Sequence, residues 1–385
     1  MTDLALSDEQ EALRASARAF LQRACPMELV RRVRTTDGEG HDPDLWRSMV
    51  ELGWVALAFP EPLGGGGGDL VDLAVLYEEA GRALVPTTLY STVEAAFLIY
   101  RAGDDGQRAG LLRPVFVGDR IVSVAYLEDG VRSAADALST TAVVDGDNVV
   151  VDGTKLFVPN AGVADDLVVL ALDPSASGAD AVRLVVVPTD APGLCRSRLT
   201  TFAHDAQHEV SFEAVRVPID RLLARVSSNA WSAVEEVRRL ATALQCVEMV
   251  GGARAVLDLT VRYVTDRAQF GRPIGSFQAV QHHVANLSTR IDAAGLAAWQ
   301  AVWRCSCGGD RDAAVGGAEA QVAIAKVAAG DAYVEATLMA HQLHGGIGFT
   351  VDHDLHLWSD RARAAALTLG SRDDHLRALG SLIAR

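Results

Sequence analysis

Residues Asp266–Leu287 read DRAQFGRPIGSFQAVQHHVANL, the most specific stretch of the chain. Arg267, Gln269 and Phe270 place a guanidinium, an amide and an aromatic ring together at the end of a long helical pattern. A Gly-Arg-Pro-Ile turn and a new helical pattern follow. A helix terminus with such donors can hold a phosphate or a sugar while the ring packs beneath. An exposed polar corner of a helical hairpin explains the same residues equally well.

A second motif, HQLHGGIGFTVDHDLHLW, spans His341–Trp358. Gln342 stands at the end of a helical pattern, and Gly345 and Gly346 follow it. Adjacent glycines let backbone amides approach a bound group closely, because no side chain intervenes. A glycine cap followed by a turn is the purely structural alternative. Each motif alone is therefore a weak indication of ligand binding.

The chain around both motifs, from about Trp231 to its end, has a helical period. The run that ends in the first motif could form one helix of many turns. Three further helical segments begin at GSFQAVQHH, AEAQVAIAK and LWSDRARAA. Apolar residues recur at helical spacing in all four, so we predict an antiparallel four-helix bundle over residues 226–385.

Two other patterns precede the bundle. Residues 119–225 hold valine-rich runs such as TAVVDGDNVVVDGTKLFV, punctuated by Asp-Gly turns, and predict an antiparallel β domain. Residues 1–118 have a helical pattern that opens with a cap-like Ser7. The glycines of PEPLGGGGGDL (Pro60–Leu70) are interpreted as a flexible connector, since no GK[ST] sequence follows to make a phosphate-binding loop. The predicted fold class is therefore α+β and multi-domain.

The composition of the chain excludes several functions. A formal net charge of −15 gives no basic footprint for nucleic acid and disfavours an anionic membrane surface. Five scattered cysteines, with no second pair or histidine cluster nearby, predict neither a disulfide framework nor a metal site. The N-terminus lacks the pattern of a signal peptide, and no apolar run is long enough to span a bilayer. A cytoplasmic location is expected.

Taken together and in this order, the motifs resemble those of the acyl-CoA dehydrogenase family over essentially the full chain. RAQFGRPIGSFQAVQH and QLHGGIGFT are similar to the family's two C-terminal cofactor motifs, and DGTKLFVPNAGVADDLVV to its middle-domain motif. The resemblance implies an FAD cofactor, an acyl-CoA substrate and an electron-transfer flavoprotein as acceptor. In the family a carboxylate base removes the proton α to the thioester carbonyl, and the β hydride passes to the flavin.

The resemblance also assigns binding residues. The first motif reaches the FAD pyrophosphate of a neighbouring subunit in the family, so it implies at least a dimer, homomeric or heteromeric, and a dimer of dimers is expected. The residues carried over to FAD are Arg267, Gln269, Phe270, Gln278, Gln342, Gly345, Gly346, Phe157 and Val158.

Two departures from the family concern the flavin. The family's Thr-Glu-Pro-Gly-x-Gly-Ser aligns with YLEDGVRSA (Tyr126–Ala134), where only Glu128 and Gly130 partly match the motif. The family's Trp-Ile-Thr beside the isoalloxazine is matched by Phe157, Val158 and Pro159. Phe157 can still stack as an aromatic wall, but Pro159 has neither a hydroxyl nor an N–H to offer the flavin edge.

The third departure concerns the catalytic base, for which the family uses a glutamate at one of two chain positions. One position falls on Thr368, Leu369 or Gly370, and Asp373 and Asp374 follow too late to be assumed equivalent. The other falls on Ala241, by counting back from Leu257–Asp258. Neither family glutamate is present.

Glu248 is the one acid in the run ATALQCVEMVGGA (Ala241–Ala253) and lies seven residues beyond Ala241. Seven residues are about two helical turns, so both positions share a face but lie ~10 Å apart along the axis. Glu248 is therefore a candidate base only at an altered substrate position. An ion pair with Arg239 or an arginine of another helix is the alternative, as is a structural role at an interface.

Three functions follow from this resemblance. The first is FAD-dependent α,β-desaturation of an acyl-CoA, with this chain as the base-deficient subunit beside a paralogous acyl-CoA dehydrogenase subunit; family heteromers of that kind serve bulky substrates such as steroid side-chain CoA esters. The second is a non-catalytic structural subunit that completes its partner's FAD site. The third is a non-redox CoA-thioester enzyme, such as a hydratase, on the same fold.

Overall fold

A computed structural model describes residues 5–34, 40–130, 138–224, 230–306 and 317–383. Contacts divide the chain into two compact units. Unit 1 combines residues 1–31, 69–85 and 239–385, and unit 2 combines residues 32–68 and 86–238. The predicted N-terminal region is thus divided between the units, because residues 69–85 belong with the C-terminal helices and residues 86–118 with the sheet.

The helices within the described ranges are α1 Asp8–Ala24, α2 Met27–Arg34, α3 Pro43–Glu51, α4 Leu70–Arg82, α5 Thr88–Ala102, α6 Asp105–Phe116, α7 Ala230–Asp266, α8 Gln278–Ser306, α9 Ala318–His344, α10 Leu355–Leu367 and α11 Arg372–Ile383. The strands are β1 Val122–Ala125, β2 Thr141–Asp145, β3 Asn148–Pro159, β4 Asp166–Leu172, β5 Val182–Pro188, β6 Leu194–Leu199, β7 Gln207–Pro218, β8 Leu222–Leu223, β9 Ala268–Gln269 and β10 Arg272–Pro273.

Unit 1 is built on the long helices. The predicted single helix before the first motif is α7, and the predicted cap of α1 is a capping box between Ser7 and Gln10. Helices α4 and α7 cross closely: a Cβ on Gly81 would lie 2.0 Å from the Glu248 carbonyl oxygen, and one on Gly251 would lie 1.9 Å from that of Glu78. These glycines are therefore required by backbone approach.

Unit 2 centres on a sheet in the order β6-β7-β3-β2-β4-β5-β8. Its pairings are antiparallel except that β1 and β2 each pair with β4 in parallel, so the predicted antiparallel domain is a mixed sheet. Alternating valines of β3, β4, β5 and β7 fill a continuous apolar core. Helix α5 packs against β1.

The glycine run after Pro60 is not the flexible connector that the sequence suggested. Gly66, Gly67 and Gly68 donate backbone hydrogen bonds to the carbonyls of Ala56, Phe59 and Leu57. A Cβ on Gly65 would lie 2.1 Å from the Phe59 carbonyl oxygen. The run is an ordered strip laid against the preceding turn, and only glycine allows that approach.

By length and composition alone, α7 is long and apolar enough to cross a membrane, although no run of the sequence was expected to be. However, 78% of its apolar window is buried inside the fold. The apolarity of this helix is accounted for by its place in the core.

Candidate functional site

The first motif forms an exposed hairpin at the end of α7. Strands β9 and β10 pair between Gln269 and Arg272, and the turn holds Phe270 at φ +55° with 90% of its surface exposed. Arg267, Gln269 and Gln278 are exposed as well. A bulky residue with positive φ is strained, and the Phe270 ring keeps most of its surface exposed while it meets the Phe277 ring edge to face, with centroids 6.1 Å apart. The hairpin thus presents a cation, an amide and a ring outward from unit 1.

The second motif lies at the same edge of unit 1 as the first. Tyr263, one turn before Arg267, donates its hydroxyl to the His344 carbonyl at 3.1 Å, and its ring stacks on the His344 ring with centroids 4.2 Å apart. This contact joins the C-terminal ends of α7 and α9. Two motifs separated by about seventy residues in the sequence therefore share one edge of unit 1.

The glycines of the second motif are open. Gly345 has φ +64° and caps α9, as the structural alternative supposed, yet a Cβ on it or on Gly346 would meet nothing within 4 Å. Gln342 is exposed beside them. Nothing in unit 1's described residues fills this space, so the glycines leave room for a bound group.

In unit 2, Phe157 is turned outward by a bulge. The β3–β7 register shifts between Lys155 and Val158, and Phe157 has φ +53° with 54% of its surface exposed. Bulges of this kind redirect side chains beside functional sites. The ring is thus available to stack on a planar ligand.

Val158, predicted beside Phe157 as a cofactor residue, is placed differently. It is 1% exposed and packs in the apolar core of the sheet, so its side chain has no access to a ligand. The bulge exposes Phe157 and returns the Val158 side chain to the core, so any contact of Val158 with the cofactor would be made by its backbone, and the assignment stays a prediction. Pro159 accepts a hydrogen bond from Ser123 Oγ through its carbonyl oxygen at 2.5 Å.

Glu128, only a partial motif match in the sequence, anchors this region of unit 2. Lys155 Nζ donates to its Oε1 at 2.6 Å, and Ser139 donates to its Oε2 through N and Oγ, each at 2.6 Å. Burial alone would raise the pKa of Glu128, but the bonds from Lys155 and Ser139 outweigh it and lower the pKa to about 2. The carboxylate is structural. Residues 131–137, including the rest of YLEDGVRSA, lie outside the described residues.

Glu248, the candidate base, lies inside unit 1 with 2% of its surface exposed. Arg361 Nε, from α10, donates to its Oε1 at 2.9 Å. An ion pair with an arginine of another helix was one of the alternatives for Glu248, and Arg361 is that arginine. The Glu248 carboxylate is therefore engaged in an ion pair inside unit 1.

The two family positions for the base carry no acid, and a lysine lies near both. Lys326 Nζ on α9 donates to Gln245 Oε1, one turn beyond Ala241, and to the carbonyls of Ala365 at 2.6 Å and Thr368 at 2.7 Å. Burial lowers the pKa of Lys326 to about 8. No signal in the sequence had singled out this lysine beyond its rarity.

Comparison with known protein families identifies the family to which this chain belongs. Models for the N-terminal, middle and C-terminal domains of acyl-CoA dehydrogenases match residues 7–119, 123–215 and 232–382. The chain belongs to the acyl-CoA dehydrogenase family. Membership confirms the predicted family, fold class and FAD cofactor, and it gives FAD-dependent oxidation or reduction of acyl-CoA as the general activity.

Several acyl-CoA dehydrogenases resemble this chain closely. Acyl-CoA dehydrogenase IpdE2 of Mycolicibacterium smegmatis is 30% identical, with 97% of this chain and 98% of the relative aligned. A variant of the Tcur3481-Tcur3483 steroid ACAD has a TM-score of 0.86 at 33% identity, with 98% of each chain covered. A chain solved with the electron transferring flavoprotein of Acidaminococcus fermentans has a TM-score of 0.90 at 26% identity, with 100% of each covered.

The residues of this acyl-CoA dehydrogenase fit FAD in chemical terms. Arg267 and the open space beside Gly345 and Gly346 are suited to the pyrophosphate and ADP portions, and the exposed Phe157 ring to the isoalloxazine. FAD supplies the hydride acceptor when bound. The protein supplies the donors and the stacking face.

Proposed function

We propose that this chain is the base-deficient subunit of a heteromeric acyl-CoA dehydrogenase that desaturates an acyl-CoA between Cα and Cβ. The observation that carries the proposal is the ion pair of Glu248 with Arg361, which commits the one acid near the usual base position to packing. Ala241 and the Thr368–Gly370 turn offer no carboxylate. A base must then come from a second subunit.

Lys326 holds together the two chain segments at which the family places its catalytic glutamate. Its three hydrogen bonds fix the Thr368 end of α10 against Gln245 of α7. Lysine in this ring of oxygens is a donor only, so it cannot abstract a proton while protonated. The described residues at these two positions therefore offer an amine and neutral oxygens but no carboxylate.

The proposed assembly follows from the exposed hairpin. Phe270, at 90% exposure, and its neighbours Arg267 and Gln269 form an apolar and cationic tip that unit 1 does not cover. Covering it with a neighbouring subunit's FAD would remove the ring from water and pair the guanidinium with phosphate. A dimer of dimers with a paralogous subunit meets both requirements, and an electron-transfer flavoprotein would collect the electrons.

The proposed substrate is an acyl-CoA with a bulky, steroid-type acyl group. Support comes from the similarity to the Tcur3481-Tcur3483 steroid ACAD. The non-catalytic structural subunit remains the second candidate, because Pro159 removes a hydroxyl from the expected flavin edge while the pyrophosphate-side hairpin is intact.

Purification with and without a co-expressed paralogous subunit tests these functions. A yellow complex that bleaches anaerobically with acyl-CoA, where this chain alone does not, supports the proposal. A chain that is colourless alone and whose complex turns over only at the partner's own FAD supports the structural subunit. Full desaturase activity of this chain alone would overturn the proposal.

Glu248→Gln separates a packing role from a catalytic one. In the active complex we expect kcat to stay within about twofold, with unfolding destabilised by ~1–3 kcal/mol because Arg361 loses its charged partner. Asp258→Asn, which breaks the more exposed pair of Arg82 with Asp258, is the matched control. A loss of kcat of a hundredfold or more, with FAD content unchanged, would show that Glu248 is the base.

A further inference from the structure

Three polar side chains meet in unit 2 at the start of the YLEDGVRSA stretch. Glu94 lies on α5, Tyr126 directly follows β1, and Arg238 lies in the early turns of α7. The Arg238 Cζ atom is 5.9 Å from the Tyr126 ring centre. Helix α5 packs against β1, and Arg101 of α5 donates to Glu236 of α7 at 3.1 Å, so the three elements are held together.

Two atoms of this group, Glu94 Oε1 and the Tyr126 hydroxyl, are sealed from solvent and have no hydrogen-bond partner among the described residues. The two groups lie close enough for a side-chain hydrogen bond between them to shift both pKa values, yet the contact falls short of full hydrogen-bond geometry, so neither atom is fully satisfied. A buried polar atom without a partner costs ~1–3 kcal/mol. Their arrangement is therefore not explained by stability.

The pKa shifts of Glu94 and Tyr126 agree with an enclosed position for both side-chain tips. Burial raises the pKa of Glu94 to about 7, against the opposing charge of Arg238, and burial raises the pKa of Tyr126 well above its ordinary value. Both residues nevertheless keep some exposed surface. Both side chains therefore combine a desolvated polar tip with a partly exposed body, as is expected at the wall of a recess.

The two orphan atoms define the ligand that would satisfy them. The carboxyl oxygen of Glu94 needs a donor, and the phenolic O–H of Tyr126 needs an acceptor. An alcohol supplies both from one oxygen, whereas a ketone or an ether supplies only the acceptor. A hydrocarbon would leave both atoms unsatisfied.

The group is joined to the residues that match the flavin motif. The Tyr126 carbonyl accepts from Lys155 Nζ at 3.3 Å, and the same amine binds Glu128. Phe157, two residues beyond Lys155, carries the exposed ring. The recess of Glu94 and Tyr126 is thus held next to the part of unit 2 assigned to the reacting end of the substrate.

We propose that Glu94 and Tyr126, with Arg238 beside them, form a recognition site for a hydroxyl group on the acyl portion of the substrate. The inference rests on the proposed function in that the ligand is an acyl-CoA. Glu94 accepts the hydroxyl hydrogen and Tyr126 donates to its oxygen, while the carbon chain fills the apolar remainder of the recess. The enzyme would then select hydroxylated acyl groups over plain ones.

Binding of matched acyl-CoAs to the assembled holoenzyme tests the proposal. The probes are decanoyl-CoA and its 6-, 8- and 10-hydroxy analogues, and Kd is measured by anaerobic calorimetry, so that no turnover is needed. We expect one hydroxylated analogue to bind about tenfold or more tightly than decanoyl-CoA, as a single satisfied buried pair allows.

Tyr126→Phe and Glu94→Leu should each abolish this preference while leaving the Kd of decanoyl-CoA within about threefold. Tyr126→Phe removes one oxygen only, so it keeps the test valid should Glu94→Leu fail to fold. Tyr100→Phe, on the same helix as Glu94, and Glu236→Gln are matched controls and should retain the preference.

Two results would overturn the proposal. Equal Kd values for all four probes would mean that an ordered water alone satisfies the pair. Retention of the preference in Tyr126→Phe and Glu94→Leu would place hydroxyl recognition elsewhere. Failure of the holoenzyme to bind any acyl-CoA would instead refute the proposed function, so the two failures are distinguishable.

Discussion

The chain contains only two lysines, one in each unit, and they are buried in contrasting ways. Lys155 is 0% exposed in unit 2 and pairs with the carboxylate of Glu128. Lys326 is 2% exposed in unit 1 and binds the Gln245 amide oxygen and two backbone carbonyls at the end of α10. Burial lowers the pKa of both amines to about 8.

The contrast shows two ways of compensating a buried charge. In unit 2 a full negative charge is paired with the amine, so each partner depends on the other. In unit 1 the C-terminal carbonyls of a helix supply partial negative charge, and none of these oxygens carries a net charge that would be left behind. Loss of the amine should therefore have different consequences at the two sites.

Lys155→Met gives the largest expected effect. It leaves the Glu128 carboxylate buried without its counter-charge, so we expect the free energy of unfolding to fall by ~3–5 kcal/mol in urea denaturation. The double variant Lys155→Met/Glu128→Leu should recover most of the loss, because no buried charge remains. Arg47→Met, which removes a cation from an exposed pair, is the control. An equal loss in the double variant would show that packing, not charge, is responsible.

An intermediate effect is expected from acid titration of Glu128. Its pKa of about 2 in the folded chain lies below the ordinary 4.5, so its stabilisation is fully present above pH 4.5 and is lost as pH falls toward 2. Glu128→Gln should lower the unfolding free energy by on the order of 2 kcal/mol near pH 6, with the gap narrowing below pH 4.5. A gap that does not depend on pH would contradict this account.

Lys326→Met has the smallest expected effect, ~1–2 kcal/mol, because it leaves only neutral oxygens without a donor. Measured beside Lys155→Met in the same urea series, it tests the contrast directly. Lys326→Arg is a useful companion, since it keeps the charge but changes the donor geometry. If Lys326→Met lowered the free energy of unfolding as much as Lys155→Met, partial charge on the helix carbonyls would not explain how Lys326 is stabilised.

The parts of this protein that the sequence predicted are those with local signals. Arg267 and Phe270 are recognisable because a compact motif specifies an exposed hairpin, and α7 because its period runs unbroken. Glu248 was not assigned a single role in advance, because its partner Arg361 lies 113 residues away and no local pattern announces a long-range ion pair. The burial of the Val158 side chain next to the exposed Phe157 could not be predicted from the sequence, because a β-bulge changes which side chain faces outward and period-two alternation does not reveal a bulge.

The glycine strip beside Pro60 has a practical consequence for anyone who modifies this protein. Five consecutive glycines would ordinarily be chosen for inserting an affinity tag or for opening the chain in a circular permutant, since flexible polar tips tolerate both. Here Gly65 lies against the Phe59 carbonyl, and all five glycine amides already donate hydrogen bonds to backbone carbonyls. Insertion or proteolytic opening at this point would have to break that ladder, so exposed turns elsewhere, such as the one at Gly146, are better places to cut or extend the chain.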